Sequence, residues 1–141
     1  MSFTVMGDAV NLASRLESAN KLYGTRCLVA GATIAAAGKA VEVREIDRLI
    51  VVGQTQPQVV FEIMGRVDEL FAEQTALRAH YSEGLAAYRT RRWDEATGAL
   101  KVALAAAPED GPCRVLLTRI ERLRDNPPSA DWDGSWQLDQ K

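Results

Sequence analysis

The sequence is short of several things that define whole classes of protein. It has no apolar run approaching the roughly 20 residues that span a bilayer, and its first residues lack the charged-then-apolar plan of a secretory signal. The expectation is a cytoplasmic chain without a membrane segment. Cysteine is limited to Cys27 and Cys113. They lie far apart and without metal-ligand spacing, which excludes a disulfide scaffold or a thiolate zinc site and leaves core packing as the role of both. Histidine is limited to His80, which falls inside a helical pattern with no partner for a catalytic dyad and reads as structural. Excess charge of one sign is also missing. A formal net charge of −2 at pH 7 gives no general attraction to nucleic acid or to an anionic membrane surface, so any phosphate that binds must be held by placed residues.

What is present is an ordinary globular balance, 47% hydrophobic and 26% charged, able to bury a core. The 141 residues suffice for one domain, or for a truncated domain followed by a small helical module. The chain opens at Met1 on a strand, Phe3 to Met6, that runs straight into a turn at Gly7. Few domains begin at such a point, which predicts that sequence is missing ahead of it.

Further along, apolar residues at Val10, Leu12, Ala13, Leu16 and Ala19 have helical spacing over Asp8 to Leu22, with Asp8 as N-cap and Gly24 as stop. A β-rich run, Arg26 to Ala30, is followed by an alanine-rich helical turn, Ala32 to Ala37. Two strands are then predicted, an alternating one over Val41 to Ile46 and a continuously apolar one over Leu49 to Val52. After the turn Gly53 to Pro57, a further strand covers Gln58 to Met64. From Arg66 to about Arg124 the β-branched runs vanish and the period becomes helical throughout. The tail from Asp125 is rich in helix breakers and reads as irregular, pinned to the surface by Trp132 and Trp136.

Chemistry concentrates in Phe3-Thr4-Val5-Met6-Gly7-Asp8-Ala9-Val10-Asn11-Leu12-Ala13-Ser14-Arg15-Leu16. The i,i+4 spacing of Asn11 and Arg15 stacks an amide and a guanidinium on one helix face just after a tight turn. A permanently charged fork beside a hydrogen-bonding amide suits a phosphate whose charge grows in a transition state. A solvated pair on an exposed face is the alternative that the residues alone leave open.

The run Gly7-Asp8-x-Val10-Asn11-x-Ala13-x-Arg15-Leu16 resembles the signature of class III adenylate and guanylate cyclase catalytic domains. Tyr23-Gly24-Thr25, Glu45-Ile46-Asp47-Arg48 and Val60-Phe61-Glu62 continue the likeness to about Gly65. The resemblance implies an α+β fold, a partial ferredoxin-like cyclase domain with an antiparallel sheet and helices over residues 1–65, the C-terminal half of the family's domain. It implies that Asn11 orients the ribose and triphosphate of ATP and that Arg15 stabilises the transition state of 3′-hydroxyl attack on the α-phosphate. Thr4, seven residues before Asn11, falls where the family selects the purine, and threonine there favours adenine.

Two departures go with it. The family's metal-binding aspartates lie upstream of this motif, so the Mg²⁺ or Mn²⁺ of the complete enzyme has no ligands in this chain. Val52 stands where many relatives have a phosphate-contacting lysine. Because the family's sites form between two catalytic domains, the resemblance further implies that this chain supplies the Asn/Arg half, is not competent alone and needs a second cyclase domain as homo- or heterodimer partner.

Residues 66–124 form the second unit, with a third, irregular stretch over 125–141. From Leu77 to Pro108 the spacing of Gly84, Ala96, Leu100, Ala103 and Pro108 resembles one tetratricopeptide repeat, an all-α hairpin in which two small residues let the helices approach closely. One repeat makes no extended peptide groove, so an extension packed on the catalytic domain or its partner is expected. A helix over Pro112 to Arg124 caps it and is predicted to expose Arg114, Arg119, Arg122 and Arg124. The functional reading is a C-terminal fragment of an adenylate cyclase, making cyclic AMP and pyrophosphate from ATP. The alternative is a non-enzymatic interaction or regulatory module that pairs with another cyclase chain.

Overall fold

The computed structural model describes residues 16–25, 27–31, 34, 40–51 and 56–138. The strand expected at Phe3 to Met6, the first half of the helix beginning at Asp8, and most of the Ala32 to Ala37 turn lie outside them. Helix α1 is described over 16–23 and stops at Gly24, whose positive φ of 70° closes a Schellman turn. The Thr25 N–H reaches back to the Asn20 carbonyl at 3.0 Å, and the Thr25 hydroxyl bonds the Asn20 side chain at 2.8 Å. Leu16, Ala19 and Tyr23 are buried, the i, i+3, i+7 face that the sequence pattern marks for the core.

Among the described residues four strands follow: β1 (Leu28–Ala30), β2 (Val41–Val51), β3 (Gln58–Arg66) and, at the far end of the described chain, β4 (Trp136–Leu138). They make a mixed sheet in the order β1-β3-β2-β4. The β1/β3 and β2/β3 pairs are antiparallel, while β4 lies parallel to β2 with Trp136 opposite Leu49. Instead of two strands separated near Asp47, the chain forms one long β2, interrupted in its register with β3 between Glu42 and Val43 and again between Glu45 and Asp47. The second irregularity changes which residues face inward. Arg44 and Ile46 are buried before it, and Asp47 and Leu49 after it, because an extra residue on one strand reverses the period-2 alternation. The tail is irregular only as far as Ser135; β4 then docks on the outer edge of β2.

Three helices lie between β3 and β4: α2 (Ala72–Arg89), α3 (Trp93–Ala106) and α4 (Gly111–Asp125). The α2–α3 hairpin closes over Gly84, where a Cβ would stand 2.8 Å from Leu100 Cγ and Cδ2; a larger residue there would force the helices apart. Tyr88, Trp93 and Trp132 form an aromatic cluster with centroids 5.4 to 6.1 Å apart, Tyr88 edge-to-face with both tryptophans and the tryptophans tilted to each other, which fixes the tail against the hairpin. Asp110 caps α4 by accepting from the Cys113 N–H at 3.1 Å, and Pro112 occupies the first turn, where its missing donor costs nothing. Two expectations are corrected. Arg119 is buried, not exposed, because it turns toward a carboxylate on β2. Cys27 is exposed, so only Cys113 packs in the core.

Candidate functional site

Thr4, Asn11, Arg15 and Val52 lie outside the described residues. Described instead is the seating of α1, which is described from Leu16, the residue after Arg15. Tyr23, on the last turn of α1, is fully buried, and its hydroxyl donates to Asp47 Oδ2 at 2.5 Å. Arg119 of α4 donates to the same carboxylate oxygen through Nη1 and to the Tyr23 hydroxyl at 3.0 Å through Nη2. Its guanidinium also lies 4.2 Å from the centroid of the Trp136 ring. One buried carboxylate therefore ties together α1, β2 and α4, and the stacked tryptophan brings in β4. At the start of α4 a Cβ on Gly111 would overlap the Tyr23 carbonyl, so glycine is needed for these two helix ends to meet.

A second buried cation sits beside it. Arg44 holds Asp110 with a two-pronged grip at 3.0 and 2.9 Å, and Glu62 of β3 at 3.1 and 2.5 Å. Its guanidinium lies 4.8 Å from the Tyr81 ring centroid, and the Tyr81 hydroxyl donates to the Ile46 carbonyl at 2.6 Å. Electrostatics follows from burial. The Tyr23 phenol is pushed well above its ordinary 10.0, first by desolvation and then by the Asp47 charge. Tyr81 rises for the same reason. Burial alone would weaken the charge on Arg44 and Arg119, but their carboxylate partners more than offset it and hold both permanently cationic.

These groups are committed to one another. A carboxylate bonded to a tyrosine and an arginine, and two arginines stacked on aromatic rings, position backbone but leave no group ready to react. Among the described residues no cluster of three His, Cys, Asp or Glu side chains could hold a metal ion, so the described residues do not fit the divalent ions that the resemblance implies. His80 is half-exposed, 3.4 Å from Glu83. Of the network residues, Tyr23, Asp47 and Glu62 fall in stretches that carry the resemblance. Arg44 and Arg119 carry no mark beyond being charges in otherwise apolar patterns.

With the geometry described, the chain can be set beside known proteins. It is 28% identical over 123 residues to a terminal-differentiation-specific adenylate cyclase of Dictyostelium discoideum, a match covering 84% of this chain and 6% of that protein. It is 39% identical over 67 residues to adenylate cyclase 1 of Rhizobium meliloti, covering 48% of this chain and 10% of that protein. No family model and no solved structure matches. The chain thus contains a region related to adenylate cyclases, and it spans a tenth or less of the length of these relatives. Residues 1–65 are less than half of the chain, so the first match also takes in much of the helical region. Among the described residues no helix is long and apolar enough to cross a membrane.

Proposed function

We propose that the chain is the C-terminal part of a class III adenylate cyclase catalytic domain, a partial ferredoxin-like fold, followed by a tetratricopeptide-like helical extension. In this reading it supplies one half of an ATP-cyclising site. Asn11 holds the ribose and triphosphate, Thr4 selects adenine, and Arg15 meets the negative charge that builds on the α-phosphate as the 3′-hydroxyl attacks. The new bond is between O3′ and the α-phosphorus; the 3′-hydroxyl proton passes to solvent, the bond from the α-phosphorus to the bridging oxygen of the β-phosphate breaks, and pyrophosphate leaves. The Mg²⁺ or Mn²⁺ of the complete enzyme belongs to aspartates of a second catalytic domain, and no residue of this chain is assigned to it. Alone, the chain is inactive.

The observation that carries this reading is the motif from Gly7 to Leu16 in a chain related to adenylate cyclases. The seating of α1 by Tyr23, Asp47 and Arg119 supports it, since a half-site must hold its helix to within about 0.5 Å to work. Val52, in place of the lysine of many relatives, favours a second reading in which the chain pairs with a cyclase and regulates it without turning over ATP. Complementation separates the two. The chain, with ATP and Mn²⁺, should yield cyclic AMP only when mixed with a cyclase domain that keeps its metal aspartates but has lost the matching Asn and Arg. A mixture of folded partners that makes no product counts for the second reading.

A further inference from the structure

Between α4, the end of α1 and β4 runs an open groove of about 310 Å³, at the lower end of the 300–1,000 Å³ typical of small-molecule sites. One wall is α4, where Arg114, Thr118 and Arg122 line it one turn apart on the same helix face. Val115 lies between them, and the opposite wall is Leu22 of α1, which is 48% exposed. Trp136 closes the end, its ring already met by Arg119.

Charge within this groove is uneven. Arg119 is neutralised by Asp47. Arg114 donates to the Pro108 carbonyl at 2.6 Å and, among the described residues, forms no ion pair. The Arg122 side chain has no hydrogen bond or ion pair among the described residues, its carbonyl alone accepting from the Asn126 N–H at 2.9 Å. A largely apolar groove on a chain of net charge −2 therefore carries two guanidinium groups that have no ion-pair partner among the described residues. A bare anion would gain little from two exposed arginines, because water and salt screen such pairs. A neutral apolar molecule would press its body against Leu22, Val115 and Trp136 and leave both cations without a partner. A molecule with both parts uses everything the groove offers, since a charge-assisted hydrogen bond beside apolar surface is stronger than one in open water.

We propose that this groove binds a small amphiphilic anion, its carboxylate or phosphate head between Arg114 and Arg122 and its hydrocarbon body against Leu22, Val115 and Trp136. The proposal is independent of the cyclase reading, and the residues it uses lie outside the Gly7 to Leu16 motif.

The test is calorimetric titration of the full chain with dodecanoate and dodecyl phosphate, each below its micelle concentration, against dodecanol, acetate and inorganic phosphate. One equivalent of dodecanoate or dodecyl phosphate should bind, the better of the two identifying the head group, while acetate and phosphate give no signal. The double variant Arg114→Gln/Arg122→Gln, both residues exposed and outside the buried network, should keep its circular dichroism spectrum and bind the amphiphiles about tenfold more weakly or worse. Dodecanol binding as tightly as dodecanoate would overturn the proposal, as would a double variant of unchanged affinity. Self-association of the chain across this face, with no uptake of dodecanoate, would overturn it as well.

Discussion

At Asp47 the chain withdraws a carboxylate completely from water and surrounds it with the Tyr23 hydroxyl and the Arg119 guanidinium. Removing one member of such a buried pair strands the other charge, at a cost of about 3–5 kcal/mol. Asp47→Ala should therefore lose about that much in urea denaturation. The apolar pair Asp47→Leu/Arg119→Met should lose much less, because neither charge is then left behind. Tyrosine titration reads the same interior. All three tyrosines, Tyr23, Tyr81 and Tyr88, have their phenols raised above 10.0, chiefly by burial. A folded-state pKa above the unfolded one means that their contribution is complete below about pH 10 and is lost as pH rises beyond it. Phenolate absorbance at 295 nm should therefore appear only above pH 10, together with loss of the circular dichroism signal. A phenolate signal arising near pH 10 in the folded chain would contradict this burial. Little of the network was legible in advance. Arg119 reads as one of four solvated arginines until the partner beneath it is known, and that partner is buried by a register shift no local pattern announces.

The irregularity in β2 shows why strands are harder to read than helices here. Alternation on each side of Glu45/Asp47 is correct, but its phase changes, and a period-2 reading splits the run into two strands. Strand β4 escaped for another reason: three residues after a Pro- and Gly-rich stretch carry no period, and their pairing depends on the exposed edge of β2. Helices were legible because 3.6-residue spacing persists over many turns, as the buried face Leu77, Tyr81, Gly84, Leu85 and Tyr88 of α2 shows. The Gly84 crossing is testable by itself. Gly84→Val should destabilise by about 1–3 kcal/mol through overpacking against Leu100. Leu100→Ala should cost about 2–5 kcal/mol by leaving a cavity. The two together should cost less than their sum, measured by denaturation of both singles and the double. Strict additivity would mean that the helices do not meet there.

Across the whole molecule, the helices do not form a separate body beside the sheet. Arg44 to Asp110, Arg119 to Asp47, Arg78 to Glu42 at 2.8 Å and Tyr81 to Ile46 all cross between them. The sequence marked the change of character near Arg66 but not these crossings, since each joins residues at least 35 positions apart. Their consequence is that damage to α4 should reach α1, which is described from Leu16 onward. In the complemented mixture, Arg119→Ala should lower cyclic AMP output through the fraction of folded chain, and a stabilising osmolyte should partly restore it. Arg15→Ala should not respond to the osmolyte, because the group proposed to meet transition-state charge is then missing from folded and unfolded chain alike.

The central claim is that this chain supplies the transition-state arginine to a site completed by another domain. Its most direct test is cyclic AMP formation from ATP and Mn²⁺ in the complementing mixture, comparing the chain as it stands with Arg15→Ala at matched folded concentration. Product in the first and a loss of at least about a hundredfold in the second is the expected result, the scale set by removing one group that meets transition-state charge. Equal output from both would contradict the claim.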